Sequence, residues 1–118
     1  MARKRVAILI SGRGSNMAAL IAAAKAADYA AKIALVIASR PDAAGLVIAT
    51  SEGIPTATVT ARSFADKASF EAAIDRELAE ARIELICLAG FMRVLSAAFV
   101  ARWHDRIINI HPSLLPAF

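Results

Sequence analysis

Apolar residues along the chain follow two spacings: short runs with almost no polar interruption, and longer stretches where they recur every three or four positions. Arg5 to Ile10, Ile33 to Ala38, Leu85 to Leu88 and Ile107 to Ile110 are runs of the first kind and predict strands buried on both faces, since a strand with one wet face would alternate. Thr56 to Val59 reads as a weaker strand. Helices lie between them. Ser15 to Ala27 is alanine-rich with Met17, Leu20 and Ile21 on one side, and Ala43 to Glu52 follows an Arg40-Pro41-Asp42 turn whose Asp42 is placed to cap it. Gly53 suits the left-handed position after that helix, and Pro55 the loop beyond. The next helix opens at Ser63 to Asp66, with those two residues competing as caps, and buries Phe70, Ile74 and Leu78. Its charges, Asp66, Lys67, Glu71, Asp75, Arg76 and Glu80, lie mostly off that stripe and read as a solvated face. Ser96 caps a short helix over Ala97 to Trp103.

Strands alternating with helices predict an α/β fold, a Rossmann-like open parallel sheet with helices on both faces. Right-handed crossovers put the carboxyl ends of the strands along one edge, and such sheets bind ligands outside that edge. Three stretches fall there: Ser11 to Asn16, Gly90 to Leu95, and Asn109 to Ser113. No repeat, low-complexity segment or linker divides the chain.

Composition narrows the partners. Of the 118 residues 58% are hydrophobic, enough for a core, yet charged residues cut every apolar stretch well below the ~20 residues of a membrane span. No membrane partner is expected. The basic start Met1 to Arg5 is followed by only five apolar residues, too few for a signal peptide, so a cytoplasmic location is expected. The net charge of +4 is dispersed and aromatics are only 6%, which argues against nucleic acid and for a small anion such as phosphate. Cys87, the single cysteine, lies inside an apolar run and reads as a core residue.

Asn109 and His111 stand two positions apart at a strand end, hence on one face. A carboxamide can donate to an oxygen that gains charge, and an imidazole can move a proton near neutral pH. The pair suits acyl or formyl transfer, in which a tetrahedral oxyanion forms while an attacking amine loses its proton. Pro112 and Pro116 restrict the backbone just beyond. A turn-capping Asn109 and a backbone-bonded His111 would explain the same two residues without chemistry. The other chemical stretch, Ser11-Gly12-Arg13-Gly14-Ser15-Asn16, joins a strand to a helix and can offer backbone N–H groups to a phosphate at the helix's positive end. A dinucleotide fingerprint is the rival, with Ser39-Arg40 in reach of an NADP 2′-phosphate, but Met17 stands where a third glycine is needed.

Ile10 to Asn16, Leu88-Ala89-Gly90-Phe91-Met92-Arg93-Val94-Leu95-Ser96 and Asn109-Ile110-His111-Pro112-Ser113-Leu114-Leu115-Pro116, in this order and spacing, resemble the folate-dependent phosphoribosylglycinamide formyltransferases of de novo purine (IMP) biosynthesis. The likeness runs over all 118 residues. The third stretch alone is also similar to methionyl-tRNA formyltransferases and formyltetrahydrofolate hydrolases; the serine-glycine loop separates the chain from them. The resemblance implies transfer of a formyl group from 10-formyltetrahydrofolate, as co-substrate, to the amine of glycinamide ribonucleotide, with no metal and no covalent enzyme intermediate. It implies that His111 is the acid–base group and that Asn109 donates to the oxyanion and borders the folate. Gly14, Ser15 and Asn16 would hold the ribonucleotide phosphate, while Leu88, Met92, Arg93, Val94 and Leu95 would line the folate pocket. Lys67 falls where the family often has an arginine near the folate tail. The partners would be these two small molecules, and a homodimer stays open.

In that family a catalytic aspartate lies a few tens of residues beyond the Leu-Leu-Pro turn, as do further strands and a helix of the folate pocket. The expectation is therefore that residues 1–118 are a single N-terminal formyltransferase domain truncated at its C-terminal end. Alone it would be inactive, a binding module for a nucleotide phosphate. Asp105, the nearest acid before the motif, lies on the wrong side of the strand to replace the missing one.

Overall fold

The computed structural model describes residues 4–11, 21, 31–91 and 95–110. In it the apolar runs pair into one sheet: β1 (Lys4–Ile10), β2 (Ala31–Ala38), β3 (Thr56–Thr58), β4 (Leu85–Ala89) and β5 (Ile107–Ile110). Their order is β3-β2-β1-β4-β5, and every pair is parallel. Three helices are described in full, α1 (Ala44–Ser51), α2 (Lys67–Glu80) and α3 (Ala97–Arg102), and they join β2 to β3, β3 to β4 and β4 to β5. Of the predicted helix over Ser15 to Ala27, only Ile21 lies within the described residues, where it is helical and buried.

The period of two along β1 sorts its side chains into two cores. Ala7 and Leu9 join Ile37 and Ile86 under Phe70, Ile74, Leu78, Phe99 and Trp103 of the α2–α3 side. Val6, Ile8 and Ile10 join Val36, Cys87 and Ala89 under Ile21 and Ala49 on the other. In β2 the alternation slips once. The β1–β2 register shifts between Val6, opposite Ile33, and Ala7, opposite Leu35, so Ala34 is an extra residue and both Ala34 and Leu35 fall in the first core.

Several local expectations hold, for visible reasons. Asp66 wins over Ser63 as cap of α2 because it stands three residues before Ser69, whose N–H donates to it at 2.8 Å; Ser63 closes a separate 3-10 turn, Ala61–Ser63. Ser96 caps α3 by accepting from the Phe99 N–H. Gly53 has φ 74, the left-handed conformation that a side chain resists. Other expectations fail. Asp42 does not cap α1: its carboxylate is held by the guanidinium of Arg40 at 3.0 and 3.1 Å, and α1 starts behind Ala43 with no side-chain cap. Glu71 is buried and Asp75 half-buried, and both turn toward α3 instead of lying on a fully solvated face. Nor is β5 buried on both faces among the described residues: Ile108 is 46% exposed.

Ile74 is fully buried and Val47 is 73% exposed, so I74A is expected to lower unfolding free energy by about 2–5 kcal/mol and V47A to change it by less than about 0.5 kcal/mol, measured by urea denaturation. The backbone and side-chain bonds from Ser69 hold the Asp66 carboxyl below its ordinary 3.8. Its stabilisation is thus present above that value and lost as pH falls through the lower folded-state value. The stability gap between wild type and D66N should shrink on acidification below 3.8 and stay level above it.

Candidate active site

All five strands run the same way, so Ser11, Ser39, Gly90 and the Asn109 end of β5 share one edge of the sheet. The end of β1 is fixed against β2 there. Ser39 N–H donates to the Ile10 carbonyl at 3.0 Å, and the buried hydroxyls of Ser11 and Ser39 are hydrogen-bonded at 2.7 Å. The glycine stretch thus departs from a pinned point. Gly14, Ser15 and Asn16 themselves lie outside the described residues, as do Met92, Arg93, Val94 and His111.

Asn109 lies opposite Leu88 in the β4–β5 register, and paired residues of a parallel ladder present side chains to the same face. Ile107, two positions back, packs against the α2–α3 core together with Leu88, Phe91 and Leu95. Three of the expected folate-lining positions, Leu88, Leu95 and Asn109, are therefore brought to one side of the carboxyl edge, with Asn109 exposed and the two leucines half-buried. Lys67 is exposed at the first position of α2, one turn before Glu71, which reaches Ser96; the same side of α2 thus meets the Leu95–Ser96 segment. Asp105 sits before β5 with φ 62, at the far end of the strand from Asn109, and pairs with His104 at 3.3 Å.

Two further acids bear on this region. Glu71 accepts from the Ser96 N–H and hydroxyl, both at 2.6 Å. Asp75 accepts from the Trp103 indole N–H at 3.0 Å and from the Arg102 guanidinium at 2.6 and 3.0 Å. One turn apart on α2, they grip α3 at its start and at its end. The signal for both was in the helical period: Glu71 stands three and seven residues before Ile74 and Leu78, and Asp75 three before Leu78, so each borders the buried stripe.

A cavity of about 670 Å³ beyond β2 is lined by Ser39, Arg40, Asp42, Thr60 and Arg62, with the Arg40 guanidinium paired to Asp42 at its exposed rim. Among the described residues, no group of three or more His, Cys, Asp or Glu could hold a metal ion, and no helix is long and apolar enough to cross a membrane.

The formyl transferase family matches residues 4–118, and the chain belongs to that family. It is 52% identical over 118 residues to the trifunctional purine biosynthetic protein adenosine-3 of Drosophila melanogaster, covering 98% of this chain and 9% of that protein. To the phosphoribosylglycinamide formyltransferase of Haemophilus influenzae it is 42% identical, covering 98% of this chain and 54% of that one. The crystal structure of phosphoribosylglycinamide formyltransferase from Brucella melitensis superposes with a TM-score of 0.91 at 48% identity, over 98% of this chain and 60% of that chain. The chain thus spans little more than half of the bacterial relative's length and about a tenth of the trifunctional protein's.

Cys87 is buried on the opposite side of the sheet from Leu88, as its place in an apolar run predicts, and burial pushes its thiol up. It should resist alkylation by iodoacetamide at neutral pH in the folded protein and react fully once urea unfolds it; fast reaction of the folded form would contradict its burial.

Proposed function

We propose that the protein carrying this chain transfers the formyl group of 10-formyltetrahydrofolate to the glycyl amine of glycinamide ribonucleotide, in the cytoplasm. The observation that carries this reading is the place of Asn109 at the carboxyl end of β5, in register with Leu88 and on the side where Leu95 packs. Relatives at 42–52% identity whose names state purine synthesis or this formyl transfer support it.

The chemistry follows from what each group can do. The glycyl amine attacks the formyl carbon, its C–N bond forms, and the carbonyl oxygen takes the displaced electron pair as an oxyanion. The Asn109 carboxamide donates to that oxygen, where a neutral donor helps more in the charged intermediate than in the ground state. Collapse breaks the bond to the folate N10. The amine nitrogen gives up one proton and N10 gains one, a relay suited to His111, two residues beyond Asn109. The glycine stretch after Ser11 would hold the ribonucleotide phosphate through Gly14, Ser15 and Asn16, while Leu88, Met92, Arg93, Val94 and Leu95 would line the pterin side and Lys67 the folate's acidic tail.

In the full-length protein, H111A is expected to lower kcat by about 10²–10⁴-fold. N109A is expected to cost about 10²–10³-fold, with the Kd for the ribonucleotide within about threefold of wild type in both. Steady-state formyl transfer and ribonucleotide titration check this. Equal loss of binding and turnover in H111A would remove the role given to the imidazole, and a wild-type protein that binds the ribonucleotide without transferring formyl would be a binding module only.

A further inference from the structure

Glu71 is only 4% exposed, in the second turn of α2. A carboxylate in such a place is costly unless both oxygens are satisfied. Here Oε2 accepts from the Ser96 backbone N–H and Oε1 from the Ser96 hydroxyl, whose oxygen in turn accepts from the Phe99 N–H at 3.2 Å. All three bonds meet at the residue where the β4–α3 connection enters its helix. At its other end Gly90 leaves β4 with φ 71, and Phe91 packs on the α2–α3 core, as Leu95 does just before Ser96. The connection is thus fixed at both ends, and its later end is set by a directional pair of bonds to one carboxylate.

Packing alone does not call for an acid at this position. An apolar side chain of equal volume beside Ile74 would fill the same space without a buried charge, but would leave the Ser96 N–H and hydroxyl without this acceptor. What the carboxylate adds is direction: it fixes where the Ser96 N–H points, and with it the place of Leu95 just before α3. We propose that Glu71 is a positioning residue for the formyl donor, fixing the Leu95–Ser96 end of the β4–α3 connection, where Leu95 would meet the folate. This inference rests on the formyltransferase reading above. Asp75, which holds the other end of α3, supplies the contrast: it supports the same helix away from the connection.

The test is steady-state kinetics of the full-length protein with both substrates varied, beside thermal melting. E71M keeps volume and helix propensity but removes both acceptors; it should raise the KM for 10-formyltetrahydrofolate about tenfold and leave the KM for the ribonucleotide within about twofold. The carboxamide of E71Q can still accept from the Ser96 N–H and donate to the hydroxyl oxygen, so it should restore the folate KM to within about threefold of wild type. D75N should lower the Tm without moving the folate KM. An unchanged folate KM in E71M, or a parallel rise of both KM values, would overturn the proposal and make Glu71 a structural residue. If E71M does not fold, S96A decides: a selective rise in folate KM supports the proposal, and an unchanged one overturns it. Absence of formyl transfer in the wild type would overturn the formyltransferase reading itself, whereas normal wild-type transfer with an unmoved E71M overturns this inference alone.

Discussion

Strand β1 carries no polar side chain from Val6 to Ile10 and lies third of five in a parallel sheet, so both of its faces must be covered. Much of the fold follows from that constraint. Parallel neighbours can be joined only by crossovers that pass over a face, which supply the covering helices and return every strand in the same direction. The strand ends then collect on one edge without any special loop sequence. Ser11 from the start of the chain and Asn109 from the far end of the described residues come to one edge for this reason, with the Ser11–Ser39 hydroxyl pair holding the corner of β1 and β2.

The α2–α3 layer on one face is more than apolar cover. Phe70, Ile74 and Leu78 pack it down, while Glu71 and Asp75 direct it. Two acids one turn apart, one on Ser96 and one on Trp103 and Arg102, add directional bonds to that packing at both ends of α3. Arg102 and Arg106 also lie over the rings of Phe99 and Trp103, at 5.5 and 4.6 Å from the ring centres, which keeps their charge at the surface while their stems cover apolar area.

Much of this could be read from the chain because it depends on local pattern. The strand runs, the caps at Asp66 and Ser96, the left-handed Gly53 and the buried Cys87 are all decided within a few residues of sequence. Asp42 departs from its expected cap for a local reason too: Arg40, two residues away, holds its carboxylate in a two-pronged pair. Glu71 and Asp75 depart from the expected solvated face for a different one. Their partners lie 25 to 28 residues away, so charge alone suggests water, whereas the helical period places both beside the buried stripe. At the site, the expected grouping of Leu88, Leu95 and Asn109 needed only strand parity and register, whereas the Glu71 contact needed the packing of two helices.

The function proposed for the protein carrying this chain comes down to one chemical event, delivery of a formyl group to an amine. It is tested most directly by supplying the full-length protein with 10-formyltetrahydrofolate carrying an isotopic label in the formyl carbon, in the presence of glycinamide ribonucleotide, methionyl-tRNA and water as competing acceptors, and following the label by mass spectrometry. A glycinamide ribonucleotide formyltransferase places the label on the ribonucleotide's glycyl nitrogen, one per tetrahydrofolate formed. Label recovered as formate or on the aminoacyl-tRNA, or left on the folate, would contradict that function.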